Sequence, residues 1–566
     1  VRSCAGVYVD AGIFVSLSPM KEVLMPQETT KRFAGASFFA NPVLPGFHPD
    51  PCLCRAGDDY YMVTSTFTWL PGVSLYHSCD LVHWESLGGI LDKLDLRGIP
   101  ESGGVWAPDL TYAKGEFYLV YSVAKTVSGA FKDVDNYLVR ARNIEGPWSE
   151  PVKLGAKGFD PCLVHAQDGC RLVVPQWDWR PLEGHYKFNG VLMYELNTYT
   201  GGVGDPKRIF DHTGDVPCVC EGPHVLEHDG WFYLLAAEGG TGVNHRTIVA
   251  RSRTVDGYYE PMPDNPLVSA AGTSSVLLKS GHGNLVEAPD GSWYACHLCA
   301  RHLPGASTSP LGRESALQRV DWIDGWPRLS AGGSEPQLAV PAPAGIAAGT
   351  ESEPYRRDTT YATSFEPDCD LWREEWLTPR VIDDLRVRID EMDGLVLTGN
   401  DSLSSLFDQT LVVRRIQDFS FEAVTHVDVA PGNYNQAAGM VAMYDSRCYV
   451  ALLVGFDEKN GERVADVLVC DNGSYSMPLG TDGRKTLSPA GKIGLRIVAH
   501  AGKLCFAVDG GDGWEDLGCS FAEENLGDEH ILGPHFTGGM LGLGAVDLAY
   551  GKLKATFSDF SYRALD

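Results

Sequence analysis

Apolar and polar positions between residues 41 and 329 recur at a long, near-regular interval. Gly57-Asp-Asp-Tyr-Tyr-Met-Val-Thr-Ser is echoed by Gly115-Glu-Phe-Tyr-Leu-Val-Tyr-Ser and Gly169-Cys-Arg-Leu-Val-Val-Pro. Gly230-Trp-Phe-Tyr-Leu-Leu-Ala-Ala and Gly291-Ser-Trp-Tyr-Ala-Cys-His complete the series. The glycines stand 58, 54, 61 and 61 residues apart. Each unit is a turn glycine followed by a short run rich in Tyr, Val and Leu. Such runs are too short for helices and read as strands. Five units of this kind predict a repeat architecture, and blades of short strands around an axis predict a five-bladed β-propeller over residues 40–329.

The period is lost further on. Residues 330–354, beginning Ser330-Ala-Gly-Gly-Ser-Glu-Pro, are rich in Ala, Pro and Gly and read as a linker. From Tyr355 to Asp566, runs such as Phe419-Ser-Phe-Glu-Ala-Val-Thr-His-Val-Asp-Val and Lys492-Ile-Gly-Leu-Arg-Ile-Val alternate apolar with polar residues. Half-buried strands do this, and the segment predicts a lectin-like two-sheet β-sandwich. The whole chain is therefore expected to be all-β. Residues 1–39 carry only a modest apolar stretch at Ala11-Gly-Ile-Phe-Val-Ser-Leu and are expected to form a disordered extension.

Charge narrows the partners. The 566 residues carry a formal net charge of −28, which disfavours nucleic acid and anionic membranes as partners and suits a neutral ligand such as a sugar. No apolar run reaches the length that spans a bilayer. The 15 cysteines are odd in number, and several fall inside apolar strand runs. Core thiols in a reducing compartment are the simplest account, and the cytoplasm is the expected location. A secreted mature chain is the alternative. Cys52-Leu-Cys54, Cys218-Val-Cys220 and Cys296-His-Leu-Cys299 do not repeat as paired zinc knuckles.

The repeat also aligns chemistry. Asp50 lies seven residues before Gly57, and Trp106, Asp160, Glu221 and His282 lie nine residues before the other four glycines. In a propeller these equivalent positions on the innermost strands converge on the axis. The alternative is that Asp-Pro and Glu-Gly-Pro are ordinary turn starts. Three carboxylates at one structural position favour an acid–base site. Inverting glycoside hydrolysis needs one ionised carboxylate to activate water and one protonated carboxyl to protonate the leaving oxygen. A neighbouring negative charge keeps the second one protonated at neutral pH. Spacing alone leaves open which of the three does which.

These segments resemble a known family. Asn41-Pro-Val-Leu-Pro-Gly-Phe-His-Pro-Asp-Pro, Val105-Trp-Ala-Pro-Asp-Leu, Phe159-Asp-Pro, Glu221-Gly-Pro-His, Ala237-Glu-Gly-Gly-Thr, Gly281-His-Gly-Asn and Leu311-Gly-Arg-Glu resemble, in order, the landmarks of glycoside hydrolase family 43. Ser402-Leu-Ser-Ser-Leu-Phe-Asp-Gln and Phe536-Thr-Gly-Gly resemble the C-terminal sandwich of its β-xylosidase type. The resemblance implies inverting hydrolysis with Asp50 as general base, Glu221 as general acid and Asp160 tuning and orienting the acid. It implies that Arg313 contacts sugar hydroxyls, with a structural ion pair as the alternative. Phe67, Trp106 and Trp69 are candidates to stack on a pyranose face, with a place in the blade core as the alternative, and Asn244-His-Arg resembles a family segment near the cleft. The resemblance puts His282 beside a water-held channel cation, often calcium. No cofactor is expected for the chemistry itself. Cys52 and Cys162 stand where the family usually has other residues.

The substrate so implied is a xylo-oligosaccharide losing xylose from its non-reducing end, with α-L-arabinofuranosides as the alternative. A non-catalytic sugar-binding propeller is the rival from another class, and a retaining fructan- or sucrose-acting relative is a third reading. A dimer or tetramer is the expected assembly. Phe536 is expected to reach over the cleft and make the sandwich part of its wall, the alternative being a place in the sandwich core.

Overall fold

The structure is a computed structural model and describes residues 35–180, 188–212, 219–392 and 394–565. Most of the expected extension over residues 1–39 lies outside the described residues. Strands dominate, and the one helical element among the described residues is a short 3-10 turn at Glu523–Leu526.

Five antiparallel sheets follow one another along the chain, each built from strands in chain order. Blade I holds Cys52–Ala56, Asp59–Thr64, Gly72–Ser78 and Glu85–Leu91. Blade II starts with Gly104–Ala113, blade III with Cys162–Ala166 and blade IV with Glu221–His228. Blade V has a broken innermost strand, Leu278–Gly281 and Leu285–Glu287, followed by Trp293–Ala300, Arg313–Ile323 and Trp326–Leu329. The repeat glycines fall where expected. Gly57, Gly115, Gly230 and Gly291 take left-handed φ values of 70° to 80° in turns between the first two strands, a conformation that costs a side-chain-bearing residue about 1 kcal/mol.

Among the described residues no full strand is exchanged between the first and last blades, although the segment leading into blade I bridges to blade V at Leu44 and Ser315. The ring closes where Cys52–Ala56 meets Leu285–Glu287. There the Asn284 side chain accepts from the Leu53 N–H (2.9 Å) and donates to the Leu53 carbonyl (2.8 Å), continuing the ladder with one amide group.

The second half packs an eight-stranded sheet against a seven-stranded one around a single apolar core that includes Trp376, Phe421, Leu452 and Phe557. Strands such as Phe421–Val429 alternate buried and partly exposed residues, as their sequence pattern predicts. Sandwich and propeller share a further apolar cluster. Phe47, Phe67, Trp69 and Trp106 pack there with Leu411, Val413, Val441 and Met443. Polar groups seal the same contact. Thr378–Pro379 pairs with Trp69–Leu70, and Arg415 donates to the Phe47 carbonyl (2.6 Å) and to Ser74 Oγ (2.7 Å). The segment after the propeller is not loose, because Ala339–Pro341 pairs with Phe38–Ala40.

Candidate active site

All five axis positions line one pocket: Asp50, Trp106, Asp160, Glu221 and His282. The backbone explains how. Asp50, Asp160 and His282 themselves take φ of 54°, 48° and 53°, while Ala107 and Gly222, which follow Trp106 and Glu221, take 32° and 54°. A left-handed step at each blade entrance turns the chain from the preceding loop into the innermost strand. Such conformations are costly for non-glycine residues and concentrate at functional sites.

Asp50 and Asp160 are buried and Glu221 is half-buried, and the three have different neighbours. Asp50 Oδ1 accepts from Arg313 Nη1 (2.7 Å) and Oδ2 from Ser65 Oγ (2.7 Å), with His282 Nδ1 at 3.8 Å. Burial alone would raise its pKa. The Arg313 guanidinium, helped by His282 and Ser65, outweighs burial and holds Asp50 below the usual carboxylate range. Ser65 Oγ in turn accepts from the Ala107 N–H (2.6 Å), which ties Asp50 to blade II. Glu221 is pushed up to about 7 by burial and by the charge on Asp50, against the opposing pull of Lys132 and Arg313. Asp160 is also raised, by burial first and then by the charges of Glu221 and Asp50. Asp160 Oδ2 accepts from the Gly222 N–H (3.0 Å), a bond that favours its ionised form. The Gly222 amide opposes that rise at Asp160 without cancelling it.

Two histidines lie against glycines. A Cβ on Gly222 would stand 2.6 Å from His282 Nδ1, and one on Gly281 would stand 2.3 Å from His245 Cδ2. Burial lowers the pKa of His282 to about 3 and of His245 to about 4, so both imidazoles are neutral at neutral pH. His245 Nδ1 bonds the Gly240 carbonyl (2.5 Å), and its buried Nε2 has no hydrogen-bond partner among the described residues.

Aromatic rings complete the wall. Phe67, Trp106, Phe159 and Phe536 line the pocket, with Phe536 at 6.4 Å from Phe67 and 6.1 Å from Trp106, centroid to centroid. Phe536 comes from the sandwich. Its N–H donates to Ser102 Oγ (3.0 Å) and its carbonyl accepts from Arg313 Nη2 (3.0 Å). Arg313 thus joins Asp50 to the second half of the chain. Trp69, expected as a stacking residue, is 3% exposed in the interdomain cluster and is not among the pocket-lining residues, because its strand pairs with Thr378–Pro379 instead of facing the cleft.

Four lining residues were not named as site residues from the sequence: Lys132, Phe159, Thr241 and His245. Phe159, Thr241 and His245 sit inside segments already singled out, beside Asp160, in Ala237-Glu-Gly-Gly-Thr and in Asn244-His-Arg. Lys132 comes from the polar connection between Glu116–Ala124 and Val134–Ala141, where no periodicity marks it. Its ammonium stands 4.1 Å from the Trp177 ring centre and 5.5 Å from that of Trp106.

The chain resembles proteins of known class over nearly its full length. The family model for glycosyl hydrolases family 43 matches residues 39–327, and that for the β-xylosidase C-terminal concanavalin A-like domain matches residues 370–563. A β-xylosidase of Bacillus subtilis (strain 168) is 37% identical over 92% of this chain and 99% of its own. A xylosidase/arabinosidase of Humicola insolens is 37% identical over 92% of this chain and 97% of its own. The crystal structure of xylan β-1,4-xylosidase from Bacillus halodurans C-125 superposes with a TM-score of 0.86 at 38% identity, over 93% of this chain and all of that one. A five-bladed propeller with three carboxyls at its axis, joined to a concanavalin A-like sandwich, is here the architecture of a glycoside hydrolase, and the chain belongs to family 43.

Proposed function

We propose that the protein is an inverting, exo-acting β-xylosidase that removes xylose from the non-reducing ends of xylo-oligosaccharides. The observation that carries this is the contrast between Asp50, held ionised by Arg313, and Glu221, held protonated up to about pH 7. Asp50 takes a proton from water as the water attacks the anomeric carbon. Glu221 delivers its proton to the departing glycosidic oxygen, and Asp160 keeps that proton in place by its charge and by its bond from Gly222. Phe67, Trp106 and Phe536 offer apolar faces to a pyranose ring. Arg313 is engaged by Asp50 and Phe536, so its first role is to hold the base, with sugar contact through its remaining N–H donors.

The chemistry needs no cofactor. At His282 the donors fit protein-held calcium poorly. Asp50 is the carboxylate beside it, both its oxygens are engaged, and calcium takes six to eight oxygen ligands. A cation there would be held by one imidazole nitrogen and water, and no step is routed through it. The thirteen described cysteines are all free thiols, which supports a reducing location such as the cytoplasm. The dimer or tetramer expected from the resemblance is read by sedimentation velocity.

Asp50→Asn and Glu221→Gln should each lower kcat on 4-nitrophenyl β-D-xylopyranoside by at least about a hundredfold with the fold intact. Near-normal turnover in either would remove that residue from its role. Proton NMR of the first-formed sugar should show α-xylose, and β-xylose would overturn inversion. A second reading, α-L-arabinofuranosidase, rests on the similarity to the xylosidase/arabinosidase. It is favoured if kcat/KM on 4-nitrophenyl α-L-arabinofuranoside exceeds that on the xyloside.

A further inference from the structure

A second tier of side chains lies one step further along the innermost strands than the cleft residues. Two or three positions after the cleft residues Asp50, Trp106, Asp160, Glu221 and His282 stand Cys52, Asp109, Cys162, His224 and Asn284. Asp109 is the hub. Its Oδ1 accepts from the Cys52 thiol (Sγ at 3.3 Å) and faces His224 Nδ1 at 3.1 Å. Its Oδ2 accepts from the Leu163 N–H at 2.8 Å, which fixes the direction of the carboxylate. The Cys162 thiol faces the same carboxylate. One ligand atom each from Cys52, Asp109 and His224 lies within 4.8 Å of the others.

We propose that Cys52, Asp109 and His224 bind a zinc ion in the propeller channel. The three ligand atoms lie within 4.8 Å of one another, close to three corners of a zinc tetrahedron. Zinc bonds of about 2.0 Å to nitrogen and oxygen and about 2.3 Å to sulfur give ligand–ligand edges of about 3.3 to 3.5 Å. The two edges at Asp109 Oδ1 are 3.1 and 3.3 Å and the third lies within 4.8 Å, so a shift of at most about 1.3 Å separates the hydrogen-bonded cluster from a coordinated one. A thiolate and an imidazole select zinc over calcium or magnesium. The bond from Leu163 to Asp109 is the outer support that metal-binding carboxylates commonly have. Asp109, His224 and Cys162 line a cavity of about 270 Å³, which gives an ion a way in and leaves the fourth position to water or to Cys162. On binding, the Cys52 thiol proton passes to solvent and the His224 Nδ1 lone pair points at the metal, so affinity falls with acidity. Spacing along the chain hid this site, because its ligands come from three different blades and form no knuckle.

Two other Cys/Asp/His groupings exist among the described residues, and both are weaker. In the group of Asp59, His77 and Cys79, both ring nitrogens of His77 are taken, by Asp59 and Glu85 at 2.8 Å each. In the group of Cys448, Asp471 and His530, the Cys448 thiol donates to the Asn525 carbonyl at 3.1 Å.

The test is equilibrium dialysis of the full chain against zinc, paired with cobalt(II) absorption to report a metal–thiolate bond. The expected result is one tightly held equivalent with a cobalt–thiolate charge-transfer band. Cys52→Ser, which nearly preserves shape, should abolish the band and weaken zinc binding by more than about a hundredfold, while Cys79→Ser and Cys448→Ser leave both unchanged. Asp109→Asn, which keeps the bond from Leu163, should weaken binding as well and stands in if Cys52→Ser does not fold. Absence of a bound equivalent in the unaltered protein overturns the proposal. So does binding that survives Cys52→Ser and Asp109→Asn, or that is lost in Cys79→Ser or Cys448→Ser.

Discussion

Each of the three axial carboxyls is defined by one neighbour: a guanidinium for Asp50, a backbone amide for Asp160, and burial beside negative charge for Glu221. The pH dependence of kcat/KM follows. Activity should fall on the acid side as Asp50 takes up a proton, below the usual carboxylate range because its pKa is depressed. It should fall on the basic side near pH 7, as Glu221 loses the proton it must deliver. In the proposed roles Asp160 carries charge beside Glu221, so Asp160→Asn should move the basic limb to lower pH by on the order of one unit. A pH–rate profile of that variant with an unmoved basic limb would assign Asp160 another role. The axial residues were legible because the repeat aligned them. Lys132 was not, since a loop lysine carries no period. The state of each carboxyl was not legible either, because Arg313 lies 263 residues from Asp50 along the chain and Gly222 lies 62 from Asp160.

At the scale of elements, the segment around Phe536 places sandwich backbone and side chain in the propeller's cleft. Its main chain bonds Ser102 and Arg313, and its ring faces Phe67 and Trp106. Phe536→Ala keeps both main-chain bonds and loses only the ring. It should raise KM for xylobiose roughly fivefold or more, the worth of one aromatic contact, with little change in Tm. A large fall in Tm with KM unchanged would instead make the ring a packing residue. Strand identity was readable wherever apolar and polar residues alternate, as in Phe421–Val429. The direction faced by a two-residue strand was not. Trp69 belongs to Trp69–Leu70, whose orientation is set by pairing with a segment over 300 residues away.

At the scale of the whole molecule, the two halves share buried charge as well as apolar surface. Glu375 sits between Arg357 and Arg414, and burial first, then Glu375, Arg415 and Arg357, shift His48 and Tyr76 of the propeller. Although burial would raise its pKa, the surrounding arginines hold Glu375 down at about 2. A chain ending at Leu329 would expose Phe47, Phe67 and Trp69 and lose the Arg415 bonds to Phe47 and Ser74. It should be insoluble or inactive on xylobiose, and recovery of a soluble, fully active fragment would show the sandwich to be an independent module. The Phe536 contact was expected from its motif, but the arginine contacts were not, because a guanidinium bonded to a distant backbone carbonyl leaves no signature beside either residue.

The junction held by Asn284 has a further consequence. Asp50 belongs to the first blade and Arg313 to the last, so the ion pair that keeps the base charged straddles the one join in the ring that chain continuity does not hold. The segment before Asp50 clasps the same strand, since His48 donates its N–H to the Arg313 carbonyl (2.8 Å) and Leu44 pairs with Ser315, so a loosening that frees this clasp would separate the base from its counterion while every blade stayed folded. Turnover in this enzyme is therefore a gauge of circumferential integrity, and it should respond to loosening of the ring before spectroscopic signals of unfolding do.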